Sequence, residues 1–299
     1  ENLSDLLARL HRMGYIPQDV RRVHIPKPGS AKGRPLGIPA LEDKLVGAAM
    51  TQILEQVYEQ DFIDDSYGFR LGRSCHDALR ALSQTVETGE IHWIVEADIK
   101  GFFDNVEHDW MKKFLAHRIG DKRMQRYVAR FLKVGVVEDG QRRESKKGVP
   151  QGASISPILA NIYLHYALDL WFERRFKPSC LGQVRLIRYA DDFVVCFASK
   201  AEAERFRAEL IERLGEFGLE VEPSKTKILA FGPGADRKAK DAGEGKAETF
   251  DFLGFTHYCS RSRNGRRFRM KRRTSRKKFS QKLLAYKEWL KANRARMCN

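Results

Sequence analysis

Cysteine is scarce in this chain, and its placement excludes two common devices. The five cysteines (Cys75, Cys180, Cys196, Cys259, Cys298) are odd in number and scattered, and no C-x-x-C spacing occurs. Neither a zinc site nor a disulfide framework is supported, so a reducing compartment is expected. No run of about 18 apolar residues exists, so no membrane helix is expected. The first residues, Glu1 and Asn2, carry no signal-like apolar stretch, so nothing points to secretion. A first residue other than Met points to a piece of a longer protein. The eight histidines show no metal-ligand pairing and read as surface or packing residues.

Acid is nearly missing from one end. From Arg261 to Asn299 there are 16 Lys and Arg and a single acid, Glu288, while the preceding residues hold 39 basic and 38 acidic side chains. The net charge of +16 is therefore a C-terminal property. Such density suits a polyanion, with nucleic acid phosphates foremost; the alternative is a solvated tail. Phe268, Phe279, Tyr286 and Trp289, with near-helical spacing of Phe279, Leu283, Leu284, Tyr286 and Leu290, favour a structured element.

What remains is ample for a core: 299 residues, 42% hydrophobic and 10% aromatic, enough for one large or two modest domains. Patterning predicts a helix over 3–13, a basic hairpin over 20–39, a helix over 42–60 and a strand over 93–99. A helix over 106–118 capped by Asn105 comes next, then a second basic hairpin over 134–148. Ser156 and Pro157 read as N-cap and first turn of a helix running to about Phe176. A helix over 200–217 stopped by Gly218, a strand over 227–231 and a flexible loop over 233–248 complete the pattern. Strands and helices alternate, which predicts an α+β fold with an antiparallel component.

Two adjacent acids, Asp191 and Asp192, interrupt an apolar, β-branched stretch (Val184, Leu186, Ile187 before; Phe193, Val194, Val195, Phe197 after). This reads as strand, tight turn, strand. Neighbouring carboxylates repel, so they call for a counter-charge, and Mg²⁺ with its hard oxygen ligands is the first choice. A solvated Asp-Asp turn is the plainer alternative. Asp98, at the end of the strand from Trp93, supplies a third acid. Two-metal phosphoryl transfer needs about three converging carboxylates around ions about 3.5–4 Å apart. Asp98 and Asp191 would bridge the metals, and Asp192 would complete the cluster.

Tyr189-Ala190-Asp191-Asp192 resembles the signature hairpin of reverse transcriptases, and five further segments match in order. These are Arg34-Pro35-Leu36-Gly37-Ile38-Pro39, Ser66-Tyr67-Gly68-Phe69-Arg70, Asp98 to Asp104, Val149 to Leu164, and Phe252-Leu253-Gly254-Phe255. The chain is similar to group II intron reverse transcriptases (the maturase family) over roughly residues 20 to 275. Ala153-Ser154-Ile155-Ser156 departs mildly from the family's usual loop, which bears on subclass only.

The resemblance implies a right-hand polymerase: fingers over 1–90, palm over 91–260 with 105–148 returning to the fingers, and the basic start of a truncated thumb over 261–299. It implies an RNA-directed DNA polymerase in a cytoplasmic, bacterial setting. Its partners would be RNA template, DNA or RNA primer, deoxynucleotides and group II intron RNA, with no membrane. Asp98, Asp191 and Asp192, with the backbone of Ile99, would hold two Mg²⁺ ions, or Mn²⁺ in their place. Phe103 would be the steric gate against a 2′-hydroxyl. Lys27 and Arg34 would grip the triphosphate, and Gln151 and Gly152 would wall the nucleotide. Lys225, with Lys227 as rival, would protonate pyrophosphate. Phe252, Leu253, Gly254 and Phe255 would grip the primer, and Arg70 and Arg73 would contact template or backbone or else lie in a solvated loop. Two other functions fit the same features: an RNA-binding splicing cofactor without polymerase activity, and a domesticated CRISPR-associated or defence relative.

Overall fold

A computed structural model describes residues 3–25, 33–241, 243 and 245–294, with backbone alone at Arg34 and Lys277. Helix α1 (Leu3–His11) is short and amphipathic and buries Leu6. Strands β1 (Val20–Ile25) and β2 (Arg34–Ile38) form the expected basic hairpin, with Arg21 opposite Ile38 and Ile25 opposite Arg34. Lys27 lies outside the described residues. Helix α2 (Leu41–Tyr58) comes next and buries Val46, Met50, Leu54 and Tyr58.

Helix α3 (Cys75–Glu87) lies where the sequence pattern predicts no element, between the helix over 42–60 and the strand over 93–99. A capping box between Ser74 and Asp77 starts it, and Ala78, Leu79, Leu82 and Val86 give it a buried face. The polar Gln84 belongs to its exposed side. After β3 (Trp93–Ala97) come α4 (Phe102–Asn105), α5 (His108–Arg118) and α6 (Lys122–Leu132). Asn105 is not the expected cap of α5. Its amide donates backward to the carbonyls of Lys100 and Gly101, at 3.0 and 3.1 Å, and Glu107 holds the cap position. Strands β4 (Val136–Glu138) and β5 (Gln141–Arg143) are the second hairpin. Because β4 runs parallel to β1, this hairpin extends the first, giving a sheet ordered β2-β1-β4-β5.

Helix α7 (Ser156–Leu164) carries Pro157 in its first turn as expected, but Ser156 is not its cap. The Ser156 hydroxyl donates to the Pro150 carbonyl at 2.6 Å, inside the loop that leads in. The helical path continues through π-type turns at His165–Asp169 and Phe172–Phe176. Strands β6 (Val184–Tyr189) and β7 (Asp192–Phe197), helix α8 (Lys200–Gly215) and strand β8 (Lys227–Ala230) complete a four-stranded antiparallel sheet ordered β6-β7-β3-β8. Helix α9 (Ala235–Asp241) occupies part of the stretch expected to be a flexible loop, with Ala235 and Ala239 as its small buried residues. Strands β9 (Phe250–Phe252), β10 (Phe255–Arg261) and β11 (Phe268–Thr274) make a third sheet, and α10 (Arg276–Asn293) succeeds it. No helix among the described residues is long and apolar enough to cross a membrane.

The central sheet is buried on both faces, which explains its nearly unbroken apolar strands. Val95, Ala97, Leu186, Phe193, Val195 and Phe197 join a core with α2, α5, α7 and α8. Ile94, Ile187, Val194, Cys196 and Leu229 face the other way, onto Ala78, Leu79 and Leu82 of α3 and onto Phe250, Phe252 and Met270 of the third sheet.

Candidate active site

Strand alternation places the acids. Ala97 pairs with Phe193 across β3 and β7, so the next step of the register sets Asp98 opposite Asp192. Both share parity with Ile94, Val194 and Cys196, and so project on the face covered by the third sheet. The β6–β7 connection is a two-residue turn, Ala190-Asp191, closed by the Tyr189–Asp192 pair. Asp98 itself is held by its carbonyl, which accepts from the Glu222 amide at 2.8 Å. Ile99 faces Val221 across an isolated antiparallel bridge.

Asp98 and Asp192 line one cleft of about 690 Å³ together with Glu96, Lys225, Asp251, Phe252, Leu253, Gly254, Ser275 and Lys278. Asp192 is exposed to this cleft, yet the protein around it partly desolvates its carboxyl. That desolvation first, then the charges of Asp191 and Asp98, push its carboxyl up to about 6. Burial, with Asp251 next to it, raises Glu96 to about 7. Two lysines oppose this negative charge. The Lys225 ammonium donates to Asp98 Oδ2, and that bond raises the lysine's own pKa. Lys278 of α10 lies against Gly254 and draws the Asp192 carboxyl back down. Lys227 pairs instead with Glu96 across β8 and β3, so Lys225 is the lysine placed on Asp98.

Hard carboxylate oxygens under mutual repulsion are the donor chemistry a divalent cation takes. Asp98, Asp191 and Asp192 fit such an ion in kind. Among the described residues, however, no three His, Cys, Asp or Glu side chains are grouped as a ready metal site, and the Lys225 ammonium bonds Asp98.

Phe252, Leu253 and Gly254 reach the same cleft through a tight β9–β10 turn, with Leu253 at φ 49° and Gly254 at φ 85°. Phe255 instead begins β10 and lies 5.7 Å from the Arg272 guanidinium. The remaining sequence-predicted residues lie elsewhere. Gln151 lines a second cleft of about 240 Å³ with Arg22, Asp104, Arg143, Lys147 and Pro150. Its carbonyl accepts from the Gly37 amide at 2.6 Å. Gly152, at φ 107°, is pressed against the β1–β2 hairpin, since a β-carbon there would lie 2.6 Å from the Gly37 carbonyl oxygen. Phe103 is half-buried and meets Phe102 edge-on, with ring centroids 5.4 Å apart. Arg34 opens β2, opposite Ile25. Arg70 is spent internally: it bonds Glu59 at 2.6 and 3.0 Å and the carbonyls of Ile63 and Ser66. Arg73 bonds Asp64. Sequence reasoning missed Glu96, Asp251 and Lys278. Glu96 had a signal, because it precedes Asp98 by two and must share its face.

The family model described as "Reverse transcriptase (RNA-dependent DNA polymerase)" matches residues 25–257. The chain belongs to the reverse transcriptase family. Among curated members, it is 45% identical to the group II intron-encoded protein LtrA of Lactococcus lactis subsp. cremoris over 165 residues, 55% of this chain and 27% of that protein. It is 37% identical to protein YkfC of Escherichia coli over 248 residues, 72% of this chain and 64% of that protein. The chain thus spans about a quarter of the first of these relatives and somewhat under two thirds of the second. A telomerase structure from Candida albicans, in complex with a fragment of telomeric RNA, superposes with a TM-score of 0.64 at 14% identity, over 81% of this chain and 44% of that one. That likeness shows a shared fold, the α+β fingers-and-palm polymerase.

Proposed function

We propose that this chain is the catalytic portion of an RNA-directed DNA polymerase that adds deoxynucleotides to a primer 3′ end on an RNA template. The observation that carries the reading is the convergence of Asp98 and Asp192, with Asp191 in the adjoining β6–β7 turn, on a cleft shared with the β9–β10 turn. Two divalent ions, Mg²⁺ or in their place Mn²⁺, would supply an activated primer oxygen and charge neutralisation on the triphosphate. Asp98, Asp191 and Asp192 would hold them, with the Ile99 carbonyl as a further oxygen.

The side chains divide the rest of the work. Phe252, Leu253 and Gly254, with Phe255 behind them, seat the primer end beside the acids. Lys225, already bonded to an active-site carboxylate, is positioned to give its proton to the departing pyrophosphate. Gln151 and Gly152 back the nucleotide, Phe103 closes its sugar pocket against a 2′-hydroxyl, and Lys27 and Arg34 meet the phosphates. In this reading 1–90 with 105–148 are fingers, the rest of 91–260 is palm, and 261–299 begins the thumb. The basic C-terminal stretch, together with the likeness to an intron-encoded protein, supports group II intron RNA as a further partner and splicing assistance as a second role.

Primer extension on poly(rA) with oligo(dT), dTTP and Mg²⁺ tests this. The wild-type chain extends the primer, and the Asp191→Ala/Asp192→Ala variant loses about 10⁴-fold or more of that rate. Extension that survives the double substitution would remove the catalytic assignment. Equal use of ribonucleotides by the wild type would remove the gate role of Phe103.

A further inference from the structure

Beneath the Ala190-Asp191 turn lies a polar cluster with no route to solvent. Arg188, Asp169 and Asn161 are each fully buried. The Arg188 Nε and Nη2 donate to the two Asp169 oxygens at 2.8 and 2.5 Å. Its Nη1 donates to Asn161 Oδ1 at 3.0 Å and to the Ala190 carbonyl at 2.9 Å. The Asn161 amide in turn donates to the Gly68 carbonyl at 2.7 Å. Gly68 abuts the turn from the other side, and a β-carbon there would collide with the Ala190 nitrogen. The Arg188 backbone is held as well: its amide donates to Asp65, and its carbonyl accepts from Tyr67.

A buried ion pair is weak evidence for stability, because well-packed apolar residues often do as well in its place. Stability therefore leaves this cluster unexplained. The turn it touches supplies a reason. Ala190 sits at φ 58°, a region alanine avoids, and such a residue persists only where its surroundings over-determine it. Asp169 reaches Arg188 from the π-wound turn His165–Asp169, and such turns recur at functional sites.

We infer that the Arg188–Asp169–Asn161 cluster is a positioning clamp: it holds the strained Ala190 turn so that Asp191 and Asp192 are aimed into the cleft before any metal or primer arrives. This rests on the polymerase reading above. Arg188 touches no reacting atom and acts on the turn through the Ala190 carbonyl and, by way of Asn161, through Gly68. A lysine at this position keeps the charge and the pairing with Asp169 but lacks the planar fork that also serves Asn161 and Ala190. Removing both charges together, as Arg188→Met/Asp169→Leu, leaves no lone buried ion, at the cost of the donor to Asn161 Oδ1 and the Ala190 carbonyl.

The test compares the wild-type chain, Arg188→Lys and the double variant for melting temperature, Mn²⁺ affinity by titration, and kcat and KM for dTTP in primer extension. The clamp predicts near-wild-type melting, an unchanged KM for dTTP, and losses of about 10- to 100-fold in both Mn²⁺ affinity and kcat. A folded Arg188→Lys chain with wild-type Mn²⁺ affinity and kcat overturns the clamp. If the double variant fails to fold, Arg188→Lys alone decides. A wild-type chain that extends no primer refutes the polymerase reading, and the Mn²⁺ comparison still decides the clamp.

Discussion

The sheet that carries the acids and the segment that ends the described chain are built on opposite principles. The first is covered on both faces by core residues, and its charged groups are few, placed and crowded. The second, from β11 through α10, exposes Phe279, Leu283, Leu284, Tyr286 and Trp289 along with most of its Lys and Arg. Tyr286 and Trp289 stack on one another with centroids 6.1 Å apart, at the surface. Packing fixes geometry in the sheet, so small displacements there change chemistry. The C-terminal segment offers charge and aromatic area over a wide surface, so single changes there alter affinity by increments. Lys278 joins the two, since it stands on α10 and faces Asp192.

The contrast predicts that effects shrink on moving away from the acids. Lys225→Ala should lower kcat by about 10²-fold with little change in KM, and Lys227→Ala should do much less. Equal effects of the two would break the special place of Lys225. Substituting Lys271, Lys282 and Lys287 by Gln should weaken template–primer binding about tenfold and flatten its salt dependence, while kcat at saturation holds. Unchanged affinity and salt slope would make the C-terminal surface a bystander.

The smallest effect concerns pH without metal. Asp192 and Glu96 both carry raised pKa values in the folded chain, at about 6 and about 7. Over that window the folded state binds more protons than the unfolded one, so stability falls as pH rises from about 4.5 to about 7. In EDTA the melting temperature should drop across this range, and Asp192→Asn should drop less. An identical pH profile for the two chains would show that the acids are not strained against each other.

Much of this site is legible in the sequence because its signals are local. The Asp191-Asp192 turn, the strand ending at Asp98 and the Phe252-Leu253-Gly254 turn are each marked within a few residues. The features that escape depend on tertiary contact. Asp169 looks like any acid on a long helix, and only burial opposite Arg188 gives it a role. Helix α3 escapes despite its Ser74–Asp77 capping box, because polar residues on its exposed face interrupt the apolar pattern. Helix α9 is held by alanines too small to register as a core pattern. Gly152 is expected from sequence to approach a nucleotide, and the described contact it makes room for is with Leu36 and Gly37.

The π-wound turn at His165–Asp169 has a consequence for which edits of the gene the fold tolerates. A π turn holds one residue more than the α-helical path around it. Deleting that surplus residue would let the turn rewind as α-helix with the chain beyond it in nearly the same phase. A deletion within α7 would instead turn everything after it by about 100° and carry Asp169 away from Arg188. The turn is thus a place on this helical path where the chain can lose a residue and keep its alignment, and changes of length should be tolerated better here than in α7.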